Sequence, residues 1–346
     1  MAYHPYRFTV FVIISSVALK LLLPLLMLKN AAPEDPSIGK IPHLSTEELK
    51  SEFWGKNALI IGGTRGVGFG SALAIATAGA DVTIVGRSIR SGSLALDKLR
   101  SASQTNERKD QEIKFIQGDL GTVQSSNNLV KTIVTKKQEK FDFLIVSAAT
   151  FPDWSAPLLN EEGFDKSFAI AVLGRFIIYK NMHRFMSSKG ARVLNVLASG
   201  MKKVSPLDRE LASGNRTVST LFEGMFTFSL GNELMQIALE EKLQQLSKNR
   251  ITMVSTHPGI LKTDLHRGQG LWLDALEFIV VSLIGVSEED CGIKQASILV
   301  SKQLHENHLS YVDQFSIGRL ASDSLLEQKE EHLEWLWSMF KSRIGV

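Results

Sequence analysis

Three glycines early in the chain have the spacing of a phosphate-binding turn. The segment LIIGGTRGVGFG places Gly62, Gly66 and Gly68 between an apolar run and a stretch with helical periodicity. Glycines at these positions allow a tight turn and let the backbone approach a pyrophosphate at the N-terminus of a helix. Because a strand is predicted before them and a helix after them, the pattern favours a dinucleotide site over a merely flexible loop.

The end of the second predicted strand indicates which dinucleotide is bound. An NAD site has an acidic residue about 20 residues after the glycines, where it binds the ribose 2′-hydroxyl. This chain has Gly86 there, followed by Arg87, and Arg65 lies within the glycine turn. A guanidinium can pair with a 2′-phosphate through two hydrogen bonds, and a glycine removes the repulsion of a carboxylate. The two arginines together favour NADP(H) over NAD(H).

The elements that would position these residues alternate regularly from Lys56 onward. Apolar runs typical of buried strands are separated by stretches with helical periodicity. The predicted strands are NALIIG, DVTIVG, IKFIQGDL, FDFLIVSAA, ARVLNVLASG and RITMVSTHPG. Such alternation predicts an α/β fold with a doubly wound parallel sheet, a Rossmann fold.

The N-terminus carries a long apolar stretch. Residues 8–28 read FTVFVIISSVALKLLLPLLML, interrupted only by Lys20. A helix of this length spans about 30 Å, the thickness of a bilayer core. We therefore expect a single-pass transmembrane anchor and a membrane location, with the endoplasmic reticulum as the favoured organelle. A cleaved signal peptide and a buried soluble helix are the alternatives.

The anchor is followed by a segment that reads as a linker. Residues 29–52 contain three prolines before position 45, which is typical of an exposed connection, and Ser45 with Glu48 predicts a capping box opening a short helix. The folded domain is expected over 53–346.

Composition excludes several classes of function. The net charge is only +3 and no block of lysine and arginine stands out, so we expect no nucleic-acid partner. Cys291 is the only cysteine, which excludes intramolecular disulfides and cysteine-rich metal sites. The eight histidines are scattered, and we predict no metal site.

Four short motifs resemble the short-chain dehydrogenase/reductase family over about residues 53–300. IGGTRGVG at 61–68 is similar to its TGxxxGxG turn, and GDL at 118–120 to the segment that brackets the adenine. SAAT at 147–150 is similar to NNAG, and HPGILKT at 257–263 to the PGxxxT loop. The runs FAIAVLGRFII and HPGILKTDL, with the altered catalytic residues described below, look most like a divergent fungal-type oxidoreductase branch.

The resemblance implies a set of residues around the cofactor. Pro258, Ile260 and Thr263 would lie beside the nicotinamide carboxamide, while Asn232 could bind the ribose. The full predicted cofactor site is Gly62, Thr64, Arg65, Gly66, Val67, Gly68, Arg87, Asp119, Leu120, Ala148, Asn232, Pro258, Ile260 and Thr263.

The proton-transfer residues of the family are missing. There, a tyrosine donates a proton to the substrate carbonyl, and a lysine one helical turn later lowers the tyrosine pKa. No tyrosine of this chain has a lysine four residues later; the tyrosines are Tyr3, Tyr6, Tyr179 and Tyr311.

Counting along the chain places the four family positions on other residues. The tyrosine and lysine positions fall on Phe228 and Asn232, and the asparagine and serine positions on Ala171 and Ala198. Ser199, one residue further, is the candidate catalytic residue.

His257 could act as an acid, although a structural histidine is the favoured interpretation.

Three functions remain open at this point. The first is an NADP(H)-dependent oxidoreductase acting on a hydrophobic carbonyl or alcohol, with Ser199, water or an undemanding substrate replacing the acid. The second is a non-catalytic NADP(H) sensor or scaffold at a membrane, and the third is a membrane-tethered structural protein. An oligomer of identical chains is compatible with each.

The C-terminal segment 265–346 is where we expect substrate specificity. Its stretch LWLDALEFIVVSLIG at 271–285 would line a lipophilic pocket, rest on a bilayer or form a plain core helix. LEWLWSMF near the end suits an interface or a cover for the core.

Overall fold

The chain divides into two units, Met1–Glu34 and Asp35–Val346, and every element given below belongs to the second. The computed structural model describes residues 37–136, 140–150, 156–197, 208–212, 216–219, 221–246, 251–259, 261, 285–307, 310–320, 334–335 and 337–342. The predicted anchor at 8–28 lies outside these residues. Within the part described, no helix has both the length and the apolar character needed to cross a bilayer.

A single sheet of nine strands organises the described residues. The strands are β1 (Ser37–Lys40), β2 (Asn57–Ile61), β3 (Asp81–Gly86), β4 (Ile113–Gln117), β5 (Phe143–Val146), β6 (Ala191–Val196), β7 (Ile251–Thr256), β8 (Ser310–Val312) and β9 (Ile317–Leu320). Their spatial order is β1-β9-β8-β7-β6-β5-β2-β3-β4. Strands β2 to β8 pair in parallel, whereas β9 is antiparallel to both β8 and β1.

Helices cover both faces of this sheet. They are α1 (Thr46–Phe53), α2 (Gly66–Thr77), α3 (Ile89–Ser103), α4 (Val123–Lys136), α5 (Arg175–Met182), α6 (Arg209–Ala212), α7 (Leu221–Leu246), α8 (Glu288–Val300) and α9 (Lys302–Glu306). One hydrophobic cluster joins the sheet to α4, α5 and α7, and a second joins it to α1, α2, α3, α8 and α9. The prediction of a doubly wound α/β fold is therefore confirmed.

The strand order reverses between β2 and β5, which are neighbours in space but not in sequence. Ile61 pairs with Val146 at the carboxyl ends of these two strands. In open α/β sheets a ligand crevice forms outside the carboxyl ends at such a reversal. The glycine turn follows β2 directly, so the fold brings it to this crevice.

The predicted linker 29–52 differs from the structure in its second half. Residues Ser37–Lys40 form edge strand β1, and the capping box exists, with Ser45 N donating to Glu48 Oε2 at 2.7 Å. Ile41 and Phe53 are buried. The prolines suggested an exposed connection, yet proline is tolerated beside an edge strand because it interrupts no central ladder. This half of the segment is part of the fold.

The helical segment between β5 and β6 is interrupted. A helical turn at Lys166–Phe168 leads into a π-helix at Ala169–Gly174, and only then does α5 begin at Arg175. A Cβ on Gly174 would lie 2.7 Å from Cβ of Leu120, so this glycine lets the π-helix pass close to the loop after β4. A π-helix rotates the residues that follow it, and Arg175 is fully buried here.

The aromatic residues near the C-terminus cover the core. Helical residues 337–342 place Phe340 in a stack with Phe176, with ring centroids 3.8 Å apart. Trp337 meets the same Phe176 ring edge-on at 5.3 Å. Of the two interpretations of LEWLWSMF, the core cover is thus confirmed for the residues described. Residues 271–284 of the apolar stretch lie outside the described part.

Candidate functional site

The glycine turn is built so tightly that side chains do not fit at two of its positions. Gly62 has a φ of +88°, and a Cβ there would lie 2.5 Å from the backbone nitrogen of Ala148. A Cβ on Gly68 would overlap the carbonyl of Gly62, lying 2.8 Å from its carbon. Glycine is therefore required for the turn to pack against the residues after β5. The first turn of α2 begins here, with backbone amides that have no partner within the helix.

The last residue of β3, Gly86, has no room for an acidic side chain. A Cβ on Gly86 would lie 2.9 Å from Oγ1 of Thr64 and closer still to its Cγ2. Arg65 and Arg87 on either side are exposed. This part of the crevice consequently offers guanidinium groups and excludes the carboxylate that would bind a ribose 2′-hydroxyl.

The remaining predicted cofactor residues differ in exposure. Asp119 and Pro258 are half-buried, and Asp119 Oδ1 accepts a hydrogen bond from the amide of Gly121 at 3.0 Å. Leu120 and Asn232 are buried, with 3% and 0% of their surface exposed. The predicted residues Ser199, Ile260 and Thr263 lie outside the described residues.

These features fit a dinucleotide. The glycines form a tight turn in which a Cβ would strike backbone atoms, and α2 begins from this turn at the reversal of strand order. Val67 and Gly66 of the same turn are half-buried. A pyrophosphate would meet backbone donors there, and a 2′-phosphate would meet Arg65 and Arg87.

A carboxylate that sequence reasoning missed also reaches this turn. The amide of Gly66 donates to Oε1 of Glu288 in α8 at 2.5 Å. Two glycines bring the helices together, because a Cβ on Gly70 would lie 2.8 Å from the carbonyl carbon of Glu288 and one on Gly292 2.8 Å from Cα of Gly70. An anion at the N-terminus of α2 stabilises that helix, and it adds negative charge beside the predicted phosphate site.

The residues predicted at the family's tyrosine and asparagine positions pack in the hydrophobic core. Phe228 is buried in α7, and its ring lies 5.8 Å from that of Phe168. Ala171 is buried within the π-helix. Neither side chain can give or accept a proton, so proton transfer at this site needs another group.

Behind the carboxyl ends of β5 and β6 lies a set of hydrogen-bonded side chains that we name the buried polar cluster. Its members are Arg175, Tyr179, Asn195, Asn232, Gln236 and Ser255. Arg175 is its charged member and is 0% exposed.

Arg175 joins the ends of two strands. Its guanidinium donates to the carbonyls of Val146 at 3.0 Å, Ala148 at 2.9 Å and Val196 at 2.8 Å. Val146 and Val196 are the last residues of β5 and β6, and Ala148 lies two residues beyond β5. The arginine thereby fixes the backbone that packs against the glycine turn.

Asn195 connects the rest of the cluster. Its Oδ1 accepts from the Arg175 guanidinium, from the Tyr179 hydroxyl at 2.9 Å and from Nδ2 of Asn232 at 3.1 Å. Its own Nδ2 donates to Ser255 Oγ at 3.1 Å. Asn232, predicted to bind the cofactor ribose, is thus bound to the core, and burial behind the site is the physical reason for the difference.

The charge of Arg175 has no acidic partner among the described residues. Its hydrogen bonds go to three backbone carbonyls, to Oδ1 of Asn195 and to the hydroxyl of Tyr179. Burial lowers the pKa of Arg175, yet a guanidinium stays protonated in proteins. Burial raises the pKa of Tyr179 to about 12, so its phenol stays neutral. The sequence signal for this residue was a charge within the apolar run FAIAVLGRFII.

His257 serves the turn after β7. Its Nδ1 accepts from the amide of Gly259 at 3.0 Å, and Gly259 has a φ of +86°. Burial lowers the pKa of His257 to about 4, so the imidazole is neutral at pH 7. The contact supports a structural histidine over an acid.

Known proteins share this architecture. A family model described as short chain dehydrogenase matches residues 56–207. Retinol dehydrogenase 13 from Mus musculus is 22% identical over 304 residues, covering 86% of this chain and 86% of that protein. The structure of a short chain dehydrogenase from Pseudomonas syringae has a TM-score of 0.59 at 19% identity, over 80% of this chain and 100% of that one. A short chain dehydrogenase from Burkholderia cenocepacia, in complex with NADP, has a TM-score of 0.56 at 18% identity, over 76% and 98%.

A parallel sheet with a glycine turn at its reversal defines a dinucleotide-binding α/β protein. The family match narrows the assignment: residues 56–207 match the short chain dehydrogenase model, and this is a family of oxidoreductases that bind a nicotinamide cofactor. The fungal-type branch within that family stays a prediction.

Proposed function

We propose that this chain is an NADP(H)-dependent oxidoreductase acting on a hydrophobic carbonyl or alcohol compound. The observation that carries the cofactor choice is the contact between Gly86 and Thr64, which leaves no room for an acid beside two exposed arginines. An exposed guanidinium beside a phosphate forms charge-assisted hydrogen bonds, the strongest polar contacts available here.

Different residues would bind different parts of the cofactor. Gly62 and Gly68 let the backbone approach the pyrophosphate, and the first amides of α2 donate to it. Arg65 and Arg87 bind the 2′-phosphate, while Ala148 and Pro258 form walls at the carboxyl edge. When bound, the nicotinamide ring supplies or accepts the hydride.

Proton transfer is proposed to use Ser199 or water. With phenylalanine and asparagine at the family's tyrosine and lysine positions, the usual acid is missing. Loss of a general acid typically lowers a rate by about 10²–10⁴, which slows an enzyme without abolishing turnover. A substrate whose product oxygen needs little protonation would suit such a site.

The hydrophobic substrate and the membrane location are parts of the same proposal. The apolar segment 271–285 lies in the part of the chain that follows β7, and the apolar stretch 8–28 has the length of a membrane anchor. The similarity to a protein named retinol dehydrogenase supports a lipophilic carbonyl or alcohol. A lipophilic substrate dissolved in the same bilayer would reach an anchored enzyme directly.

The cofactor proposal is tested with Arg87→Asp in the full-length chain. Titration with NADPH and NADH should show roughly 10–100-fold weaker NADPH binding, since one charge-assisted contact becomes a repulsion, and little change for NADH. The control is Lys131→Asp, the same charge change at an exposed position on α4. An equal decrease in affinity for both cofactors would contradict the proposal that Arg87 binds the 2′-phosphate.

Turnover is tested with a panel of lipophilic carbonyl and alcohol compounds. An oxidoreductase should change NADPH absorbance with at least one of them, and Ser199→Ala should slow that reaction if Ser199 takes part. NADPH binding without turnover of any compound would instead favour the non-catalytic sensor or scaffold.

A further inference from the structure

We propose that the buried charge of Arg175 makes the site discriminate between the two redox forms of the cofactor, favouring NADPH over NADP⁺. This inference rests on the proposed NADP(H) binding and adds a direction to it. Arg175 acts as a specificity-determining residue behind the site and does not touch the substrate.

The position of the charge follows from its hydrogen bonds. The Arg175 guanidinium holds the Ala148 carbonyl at 2.9 Å, and the backbone of Ala148 is what a Cβ on Gly62 would strike at 2.5 Å. The charge therefore lies directly behind the backbone that meets the glycine turn. It also lies beneath the end of β6, through Val196.

The charge is poorly neutralised. Arg175 is 0% exposed, and its partners are carbonyl, amide and hydroxyl groups rather than carboxylates in the described part of the chain. Its Nε has no hydrogen-bond partner there. Neither solvent nor salt screens a buried charge as it does an exposed one, so the positive potential extends into the neighbouring crevice.

The two redox forms differ in the charge that would feel this potential. The oxidised nicotinamide ring carries a positive charge and the reduced ring is neutral, while the phosphates are the same in both. Contacts made by Arg65, Arg87 and the glycine turn therefore cancel in a comparison of the two. At separations on the order of 10 Å in a protein-like dielectric, one unit charge changes an equilibrium constant roughly ten-fold.

The difference in affinity has a consequence for the reaction. A site that binds NADPH more tightly than NADP⁺ holds the cofactor form that reduces a substrate, and it releases NADP⁺ after the reaction. Asn232, predicted at the family's lysine position, is neutral and cannot exert this effect, whereas Arg175 carries a positive charge within the same cluster.

The measurement is the ratio of the dissociation constants for NADP⁺ and NADPH in the full-length chain, from NADPH fluorescence and displacement by NADP⁺. The wild type should bind NADPH at least ten-fold more tightly. Arg175→Met removes the charge and should lower this ratio about ten-fold.

A second variant keeps the arginine and neutralises it. Asn195→Asp places a carboxylate at the atom that already accepts from the guanidinium, with almost no change of shape. It should lower the ratio as Arg175→Met does, and it decides the question if Arg175→Met fails to fold. Tyr179→Phe is the matched control, because it removes one hydrogen bond to Asn195 without changing any charge. Its ratio should equal that of the wild type.

The outcomes separate this inference from the proposed function. A wild type that binds neither form contradicts the proposed function, and this inference falls with it. Binding of both forms with the same ratio in wild type, Arg175→Met and Asn195→Asp would overturn this inference alone, leaving Arg175 a structural clamp. A ratio lowered in the two charge variants and unchanged in Tyr179→Phe supports it.

Discussion

The glycine turn after β2 and the buried polar cluster behind β5 and β6 lie at the same edge of the sheet. The turn is made of seven consecutive residues, 62–68, and offers mainly backbone groups to a ligand. The cluster is assembled from side chains of α5, β6, α7 and β7. The turn retains the family's pattern, whereas the cluster occupies the region where the family's acid and lysine are missing.

We infer from the difference that the residues for cofactor binding and those for proton transfer can change independently on one fold. Binding by backbone amides depends on the absence of side chains, so it persists as long as the glycines do. Proton transfer depends on particular side chains, and here they are replaced by Phe228 and Asn232. The positive charge in the buried polar cluster is that of Arg175, which lies on α5 rather than on α7 and is buried in the core.

The largest effect is expected from breaking the cluster with Asn195→Leu. The change leaves the guanidinium of Arg175, the hydroxyl of Tyr179 and the amide of Asn232 without their shared acceptor. Each buried donor left unsatisfied costs about 1–3 kcal/mol, so we expect the free energy of unfolding to fall by about 4 kcal/mol. Urea denaturation measures it.

The control for this variant is Asn181→Leu on α5. Asn181 makes one hydrogen bond within its own helix, to the carbonyl of Ile177 at 2.8 Å, and should cost less than about 1 kcal/mol. Similar losses for both variants would mean that Asn195 is not the hub of the cluster.

Breaking the turn with Gly68→Ala is expected to have the next largest effect. The new Cβ would overlap the carbonyl of Gly62, a backbone atom that cannot rotate away. We expect a loss of about 2–3 kcal/mol in stability, typical of overpacking, and at least ten-fold weaker NADPH binding. Gly121→Ala is the control, since its Cβ would come no closer than 3.4 Å to Asp119 and should leave both quantities unchanged.

The pH dependence of stability tests whether His257, which directly follows β7, is a proton donor at neutral pH. Burial lowers its pKa to about 4 in the folded chain, against about 6.5 in the unfolded chain. The unfolded chain therefore binds the extra proton between pH 6.5 and 4. Stability is complete above pH 6.5 and should fall by on the order of 2 kcal/mol as pH drops to 4.

The variant His257→Gln removes this group. Thermal unfolding at pH values from 7 to 4 should show a smaller decrease in stability for the variant than for the wild type. Identical pH dependence in both proteins would mean that His257 titrates normally and remains available as an acid.

The smallest effect is expected from removing the negative charge of Glu288 beside the glycine turn. Glu288→Gln keeps an acceptor for the amide of Gly66 and removes a negative charge beside the phosphate site. NADPH affinity should rise by about five-fold, and stability should fall by less than about 1 kcal/mol because the N-terminus of α2 loses an anion. Glu289→Gln, at an exposed position one residue away, should change neither. Weaker NADPH binding in Glu288→Gln would show that the carboxylate supports the site.

The sequence was sufficient for features that depend on neighbouring residues. The strands β2 to β7, the glycine turn and the capping box at Ser45 are local patterns whose physical causes lie within a few residues.

Features that depend on distant residues were not predictable. Glu288 and Gly66 are 222 residues apart, and the cluster joins Arg175 to Ser255 only through Asn195. Strand β1 was missed because its pairing partner, β9, lies at the other end of the domain. Asn232 was placed correctly on a helix, but its burial depends on packing that no local pattern contains.

The most direct measurement is a calorimetric titration of the full-length chain with NADPH and, separately, NADH. We expect saturable binding of NADPH to one site per chain and at least ten-fold weaker binding of NADH, because only NADPH presents a 2′-phosphate to Arg65 and Arg87. Absence of saturable binding by either cofactor would contradict the claim that the glycine turn remains a working site beside the altered catalytic residues.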